Sequence, residues 1–363
     1  MDGQLIQSRV PLEPELEVVL ARIAQTAEDT DRFGVPRSHI DSLALVGAHG
    51  LAKDPQRQRE LTERLAGADA STWFCWTQHQ TPLRTMLAGG NQPAAQELSD
   101  RWLKGLESGD LLAAIAFAHI RRGGPANPVV HQVDGGWELT GKLDWVTSWD
   151  IADVLMLLAA TEDKSKLVVF YLPIANFENI FENASVGAPL DLLAMSGTHS
   201  RPIEFDHTFV SEQFAFGVID AHKWLEADAL KTVLPNPAAL GVARAAIEEL
   251  NRVSINRKQA KGEELAHELA TRFEDLRTRA YQEIDHPDSS RGDSSRGDLL
   301  ALRVEILEFV LTCSVAVVTA TSGSAMVRGN SAERRVREAM FLQVQAQTQQ
   351  TRDAMLARSI CEL

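Results

Sequence analysis

Gly136-Trp137-Glu138-Leu139-Thr140-Gly141-Lys142-Leu143-Asp144-Trp145-Val146-Thr147-Ser148 decides the reading of this chain. His131-Gln132-Val133 precedes it, and Gly135-Gly136 is a turn signal between the two runs, so the stretch predicts a β-hairpin. Downstream, Val154–Leu158 and Leu167–Leu172 are apolar, β-branched runs bounded by polar turns, and Pro202–Asp206 alternates as a half-buried strand should. Residues 111–218 therefore predict a middle β domain, a small barrel or sandwich.

Helical spacing takes over on both sides. In residues 1–110, Leu16, Val19, Leu20, Ile23 and Ala24 recur on one helix face, and Asp41–Leu51 reads as a short helix closed by a glycine. Thr62–Ala66, Ala70–Leu87 and the segment around Trp102, Leu103 and Leu106 continue the pattern. In residues 219–363 helices are predicted over Leu240–Arg257, Glu263–Ile284, Leu299–Thr321 and Arg335–Ala357, which should pack as an antiparallel bundle. Asp288–Asp298 holds Ser-Ser-Arg-Gly-Asp twice and predicts a polar loop. The fold class is α+β and multidomain: an N-terminal α-helical domain, a middle β-barrel domain and a C-terminal four-helix bundle.

A chain of 363 residues is long for one core, and 44% hydrophobic with 24% charged residues is an ordinary globular balance. A net charge of -14 speaks against nucleic-acid and membrane partners, because both present negative charge. The three cysteines are scattered without metal-ligand spacing, so neither a metal site nor a disulfide framework is expected, and a reducing cytoplasm fits. The polar, acidic start lacks the order of a signal peptide.

The order helical, β, four-helix resembles the acyl-CoA dehydrogenase superfamily along nearly the whole chain, and three motifs carry the resemblance. The hairpin is similar to the family's G-x-K-x-W-I-T followed by Ala-Asp, here Ala152-Asp153. The resemblance implies FAD as cofactor, with Trp145 beside the isoalloxazine ring and Thr147 hydrogen-bonded to flavin N5. In the second motif Gly241 stands sixteen residues before Arg257-Lys258, the interval of a family glycine and an Arg-Lys pair. By resemblance Arg257 reaches the FAD pyrophosphate of a neighbouring subunit; Ala260 and Lys261 replace the family's Phe-Gly, which leaves a solvated surface arginine as the alternative. The third is Ser322-Gly323-Ser324, then Glu333 to Glu338, similar to a glycine-rich turn and E-x-x-x-R-D. It implies a close backbone approach to the dinucleotide at Gly323, with Thr348 and Gln350 on the adenylate portion. A homodimer or homotetramer follows from these two-subunit contacts.

The family's usual carboxylate base is missing. Nine residues beyond Arg337 stands Ala346, and the alternative family position, on the helix before Gly241, holds Lys231. The segment that touches flavin and acyl-CoA is also altered: Ala116-Phe117-Ala118-His119 keeps a strand without the family's Thr, Ser and Asp, leaving main-chain N–H groups at Phe117 and Ala118 to serve the flavin. His79, His119 and His199 fall where the family builds its cleft; His79 and His119 are the candidate relocated bases. Three readings follow: an FAD-dependent oxidoreductase acting on an acyl thioester, such as an acyl-CoA, or a related small substrate; a flavin monooxygenase on the same fold; and a non-catalytic partner subunit of a heteromeric dehydrogenase.

Overall fold

The computed structural model describes residues 4–49, 54–285 and 293–361. The N-terminal helices are α1 (Pro14–Gln25), α2 (Ala27–Phe33), α3 (Arg37–Leu45), α4 (Pro55–Ala68), α5 (Ala70–Ala88) and α6 (Ala95–Ser108). Asp54 caps α4 by accepting from the Gln56 N–H, and Asp69 caps α5 through Ser71 and Thr72. The predicted helix over 41–51 ends earlier, at Leu45, and Gly47 follows it with φ +70°. Its expected glycine terminus at Gly50 lies outside the described residues.

The strands are β1 (Ala113–Ala116), β2 (Val129–Val133), β3 (Gly136–Val146), β4 (Val154–Thr161) and β5 (Lys166–Pro173). After the short helix α7 (Phe177–Ile180) come β6 (Ala184–Val186), β7 (Arg201–Ser211) and β8 (Ala215–Asp220). They form one sheet in the order β6-β7-β3-β2-β4-β5-β8, with β1 parallel to β4. The predicted hairpin is β2–β3, its turn made at Asp134-Gly135 with Gly135 at φ +74°.

The remaining helices are α8 (Ala221–Thr232), α9 (Pro237–Arg257), α10 (Ala260–Asp285), α11 (Asp293–Thr321), α12 (Ser331–Val344) and α13 (Gln349–Cys361). Two expectations change here. The polar repeat is helical from Asp293 onward, because adding a residue to the end of a long helix gains one hydrogen bond without a new nucleus; residues 286–292 lie outside the described residues. The single helix expected over Arg335–Ala357 is two, broken where Gln345 is extended and Ala346 sits at φ +51°.

These elements share two apolar cores. Leu16, Leu61, Leu65, Trp73 and Trp76 of the N-terminal helices are buried with Leu240, Ile247, Phe273 and Phe309 of the bundle. The sheet has its own core with Leu83 and Met86 of α5 and Trp102 of α6. Helices α4 and α9 meet backbone to backbone: a methyl on Gly241 would lie 2.0 Å from the Glu63 carbonyl oxygen, and one on Gly67 2.7 Å from that of Gly241. Only glycine permits that approach, so the motif glycine at 241 serves packing. Beside the crossing, fully buried Glu63 accepts from Arg244 at 2.9 Å, from Arg277 at 3.2 Å and from the Tyr281 hydroxyl.

Candidate active site

A cavity of about 740 Å³ lies where α5, the sheet, α8 and the start of α9 converge. Thr77, Thr81, Arg84 and Thr85 line it from α5; Trp224, Ala227, Asp228 and Lys231 line it from α8 at helical spacing. Met156, Leu158 and Val169 form its sheet wall, and Phe117 stands at the end of β1, edge-on to Trp224 with ring centroids 5.6 Å apart. Both Lys231 and Ala346 line this space. The two positions found by counting along the sequence thus face one cavity, and neither supplies a carboxylate.

The carboxylate among the lining residues is Asp228. It takes two hydrogen bonds from the Arg121 guanidinium, at 2.7 and 2.8 Å, and Arg121 also lies over the Phe117 ring. Arg303 closes the floor by donating to the carbonyls of Thr232, Leu234 and Gln345 at 2.7, 3.2 and 3.0 Å, while its Nε is buried without a partner. Burial, helped by nearby Arg121, brings its pKa down to about 10.

The two histidines singled out from the sequence are not brought to this cavity. His79 is fully buried, its Nε2 3.0 Å from the Leu106 carbonyl oxygen and its Nδ1 accepting from the Ala113 N–H at 3.1 Å, so both ring nitrogens are committed to the main chain. His119 lies in a 3-10 turn over Ala118–Arg121 rather than on the strand, with Nε2 2.7 Å from the Leu158 carbonyl oxygen. His199 is also tied down, to the Val35 carbonyl at 2.9 Å.

Burial pushes His49 and His119 down to about 4, and His79 well below its ordinary value. A histidine held neutral this way binds fewer protons folded than unfolded. Its contribution is whole above pH 6.5 and drains as the pH falls toward 4. Asp69, raised to about 6 by burial, acts in the opposite sense between 3.8 and 6. Three imidazoles outweigh one carboxyl, so stability should fall by on the order of 2 kcal/mol from about pH 7 to pH 5. Thermal melts at the two pH values check this; an equal or higher midpoint in acid would mean that the rings are not kept neutral.

The hairpin presents its motif residues differently. Side chains alternate along a strand, so Trp145 should share the buried face of Leu143. Instead the register slips between Leu143 opposite Ile203 and Val146 opposite Arg201. This bulge buries Val146 and leaves the Trp145 indole 50% exposed. Thr147 is buried, its hydroxyl 3.2 Å from Ser200 Oγ, which lies 2.9 Å from Thr198 Oγ1. Ala118 is exposed at the end of β1, and an Arg122–Asp144 ion pair ties that end to the residue before Trp145. Asp153 of the Ala-Asp pair is structural: it accepts from Arg37 at 2.9 Å and from the Leu112 N–H at 2.7 Å.

The remaining sites fall into two groups. Arg257 donates to the Ala320 and Thr321 carbonyls at 3.2 and 2.8 Å and to Ser324 Oγ at 3.3 Å, which sets it against the turn holding Gly323. A side chain at Gly323 would meet open space. Thr348 caps α13 by accepting from the Thr351 N–H at 3.3 Å, and Gln350 is exposed in that helix. Asn236 at the start of α9 bonds Gln345 at 3.1 Å, so the Thr348 group sits near one end of α9 and Arg257 at the other. A helix of 21 residues separates them by about 30 Å. Among the described residues no group of His, Cys, Asp and Glu could hold a metal ion, and no helix is long and apolar enough to cross a membrane.

Of the cavity's cations, Lys231 was reached from the sequence, as the occupant of a position where a carboxylate was sought; Arg84 and Arg303 stand on two other helices and were not picked out.

No family model matches the chain. The benzylmalonyl-CoA dehydrogenase of Aromatoleum aromaticum is 26% identical over 171 residues, 45% of this chain and 44% of that protein, so the matched stretch spans less than half of that relative. The glutaryl-CoA dehydrogenase of Mycobacterium smegmatis, solved in complex with FADH2, superposes with a TM-score of 0.75 at 13% identity, covering 97% of this chain and 96% of that one. Nitrososynthase from Micromonospora carbonacea var. africana superposes with a TM-score of 0.74 at 21% identity, covering 100% of both chains. With helices, sheet and bundle in this order, the chain has the fold of these acyl-CoA dehydrogenases and of nitrososynthase, and over less than half of its length its sequence is similar to an acyl-CoA dehydrogenase.

Proposed function

We propose that the protein is an FAD-dependent oxidoreductase whose substrate enters the cavity between α5 and α8. One observation carries the reading: the bulge in β3 turns a large aromatic side chain outward, one residue beyond the Asp144 that pairs with Arg122 after the end of β1, where Phe117 lines that cavity. An exposed indole flanked by an accessible strand end suits a flat tricyclic ring, which needs an apolar wall and main-chain donors. Trp145 would supply the wall, Phe117 and Ala118 the N–H groups, and Thr147 a hydroxyl near N5. Arg257 with Gly323, and Thr348 with Gln350, would serve the pyrophosphate and adenylate ends. Their placement at opposite ends of α9 supports sharing between subunits, as do the exposed Ile255, Met326 and Val327 near Arg257.

Bound there, the flavin would supply two-electron redox chemistry. The chain's own residues would shape what it acts on. Removing a proton α to a thioester carbonyl needs a free base opposite the flavin. Ala346 cannot accept a proton, and the Asp228 carboxylate is occupied by Arg121. These side chains favour the oxygenase mode over acyl-CoA dehydrogenation, and the end-to-end likeness to nitrososynthase fits the same reading.

An absorbance spectrum of the native protein tests the cofactor: flavin bands are expected with or without added FAD. Oxygen consumption on adding reduced flavin and candidate substrates, with labelled oxygen in the product, would then separate the oxygenase from a dehydrogenase that bleaches with acyl-CoA. A protein that neither retains nor takes up FAD would instead be the non-catalytic partner subunit.

A further inference from the structure

The charge in the cavity runs against the charge of the chain. Overall, 50 Asp and Glu outnumber 36 Lys and Arg. Around the cavity four cations, Arg84, Arg121, Lys231 and Arg303, face the single carboxylate of Asp228. That carboxylate answers Arg121, and the donors of Arg303 are turned to main-chain carbonyls that carry no net charge. Among the described residues Arg84 and Lys231 have neither a hydrogen bond nor an ion pair from their side chains. Arg84 lines the cavity from α5 and keeps exposed surface, so its guanidinium is open to an anionic ligand.

We infer that the substrate is a small organic anion, its carboxylate or comparable group received by Arg84 and its apolar body lying among Phe117, Phe216 and Trp224. The surroundings of Arg84 suit that group: Thr81 and Thr77 stand about one and two turns before it on the same face of α5, with hydroxyls that make no hydrogen bond among the described residues. A guanidinium offers two parallel donors to a planar carboxylate, and neighbouring hydroxyls can donate to its remaining lone pairs. The opposite wall is aromatic and aliphatic, which an unsubstituted phosphate or sulfate would leave uncovered. A volume of about 740 Å³ holds a molecule of this size but not a nucleotide-bearing acyl carrier in full. This inference deepens the proposed function and rests on it only for taking this cavity as the substrate site.

Calorimetric titration with phenylacetate and its neutral isostere phenylacetamide tests it on the intact protein, whatever its flavin content. Phenylacetate should bind about tenfold more tightly. R84L should abolish that preference and R84K should keep most of it, with far-ultraviolet circular dichroism unchanged in both. In the wild-type protein, raising the chloride concentration should weaken phenylacetate but not phenylacetamide. Equal affinity for the two probes, or a preference that survives R84L, would overturn the inference. An anion preference in a protein without flavin would leave the inference standing and remove the proposed function; flavin without the preference would do the reverse.

Discussion

Glu63→Ala should give the least stable single variant of this protein, losing about 3–5 kcal/mol. Glu63 is wholly buried and holds Arg244, Arg277 and the Tyr281 hydroxyl together. Its removal strands two guanidinium groups in the interior, since Glu60 is the other carboxylate near Arg244, at 3.5 Å, and Glu274 alone remains on Arg277. The loss is a large fraction of the roughly 5–15 kcal/mol that keeps a domain folded. The urea midpoint checks it. A midpoint within error of the wild type would show that the network contributes nothing net, whereas joint replacement of Glu63, Arg244 and Arg277 by apolar residues should recover much of the loss.

Trp145→Ala should leave the melting temperature nearly unchanged, because the indole is half exposed, yet weaken FAD retention by about a hundredfold. Trp145→Phe should keep most of it. The measurement is the dissociation constant for FAD, read from flavin fluorescence. An alanine variant that holds flavin as the wild type does would remove Trp145 from the site and with it the main support for the proposed function.

The helices around the hairpin were legible because apolar spacing is local, and the β2–β3 hairpin because the pair Gly135-Gly136 signals a turn, which the structure makes one residue earlier, at Asp134-Gly135. The outward turn of Trp145 was not. Counting by twos assigns it to the inner face with Leu143, and the bulge that overrules this count depends on the partner strand, at Ile203 and Arg201. Interval counting did lead from Arg337 to Ala346 and from Gly241 to Lys231, and both positions line the cavity. The histidines drew attention as the residues that titrate near neutrality, but His79 answers to Leu106 and Ala113, and His119 to Leu158, partners that no sequence spacing reveals. The cavity's charge was hidden for a related reason: its cations come from separate segments and gather only in the folded chain.

The shared core of the first and last thirds of the chain also bears on synthesis. Helix α4 leaves the ribosome long before α9, yet its glycine and glutamate have no other surface to close on. The sheet, whose interior takes in parts of α5 and α6, can close while α1 to α4 wait. A nascent chain interrupted before α9 would hold an ordered middle and an open, apolar beginning, the kind of surface that chaperones bind.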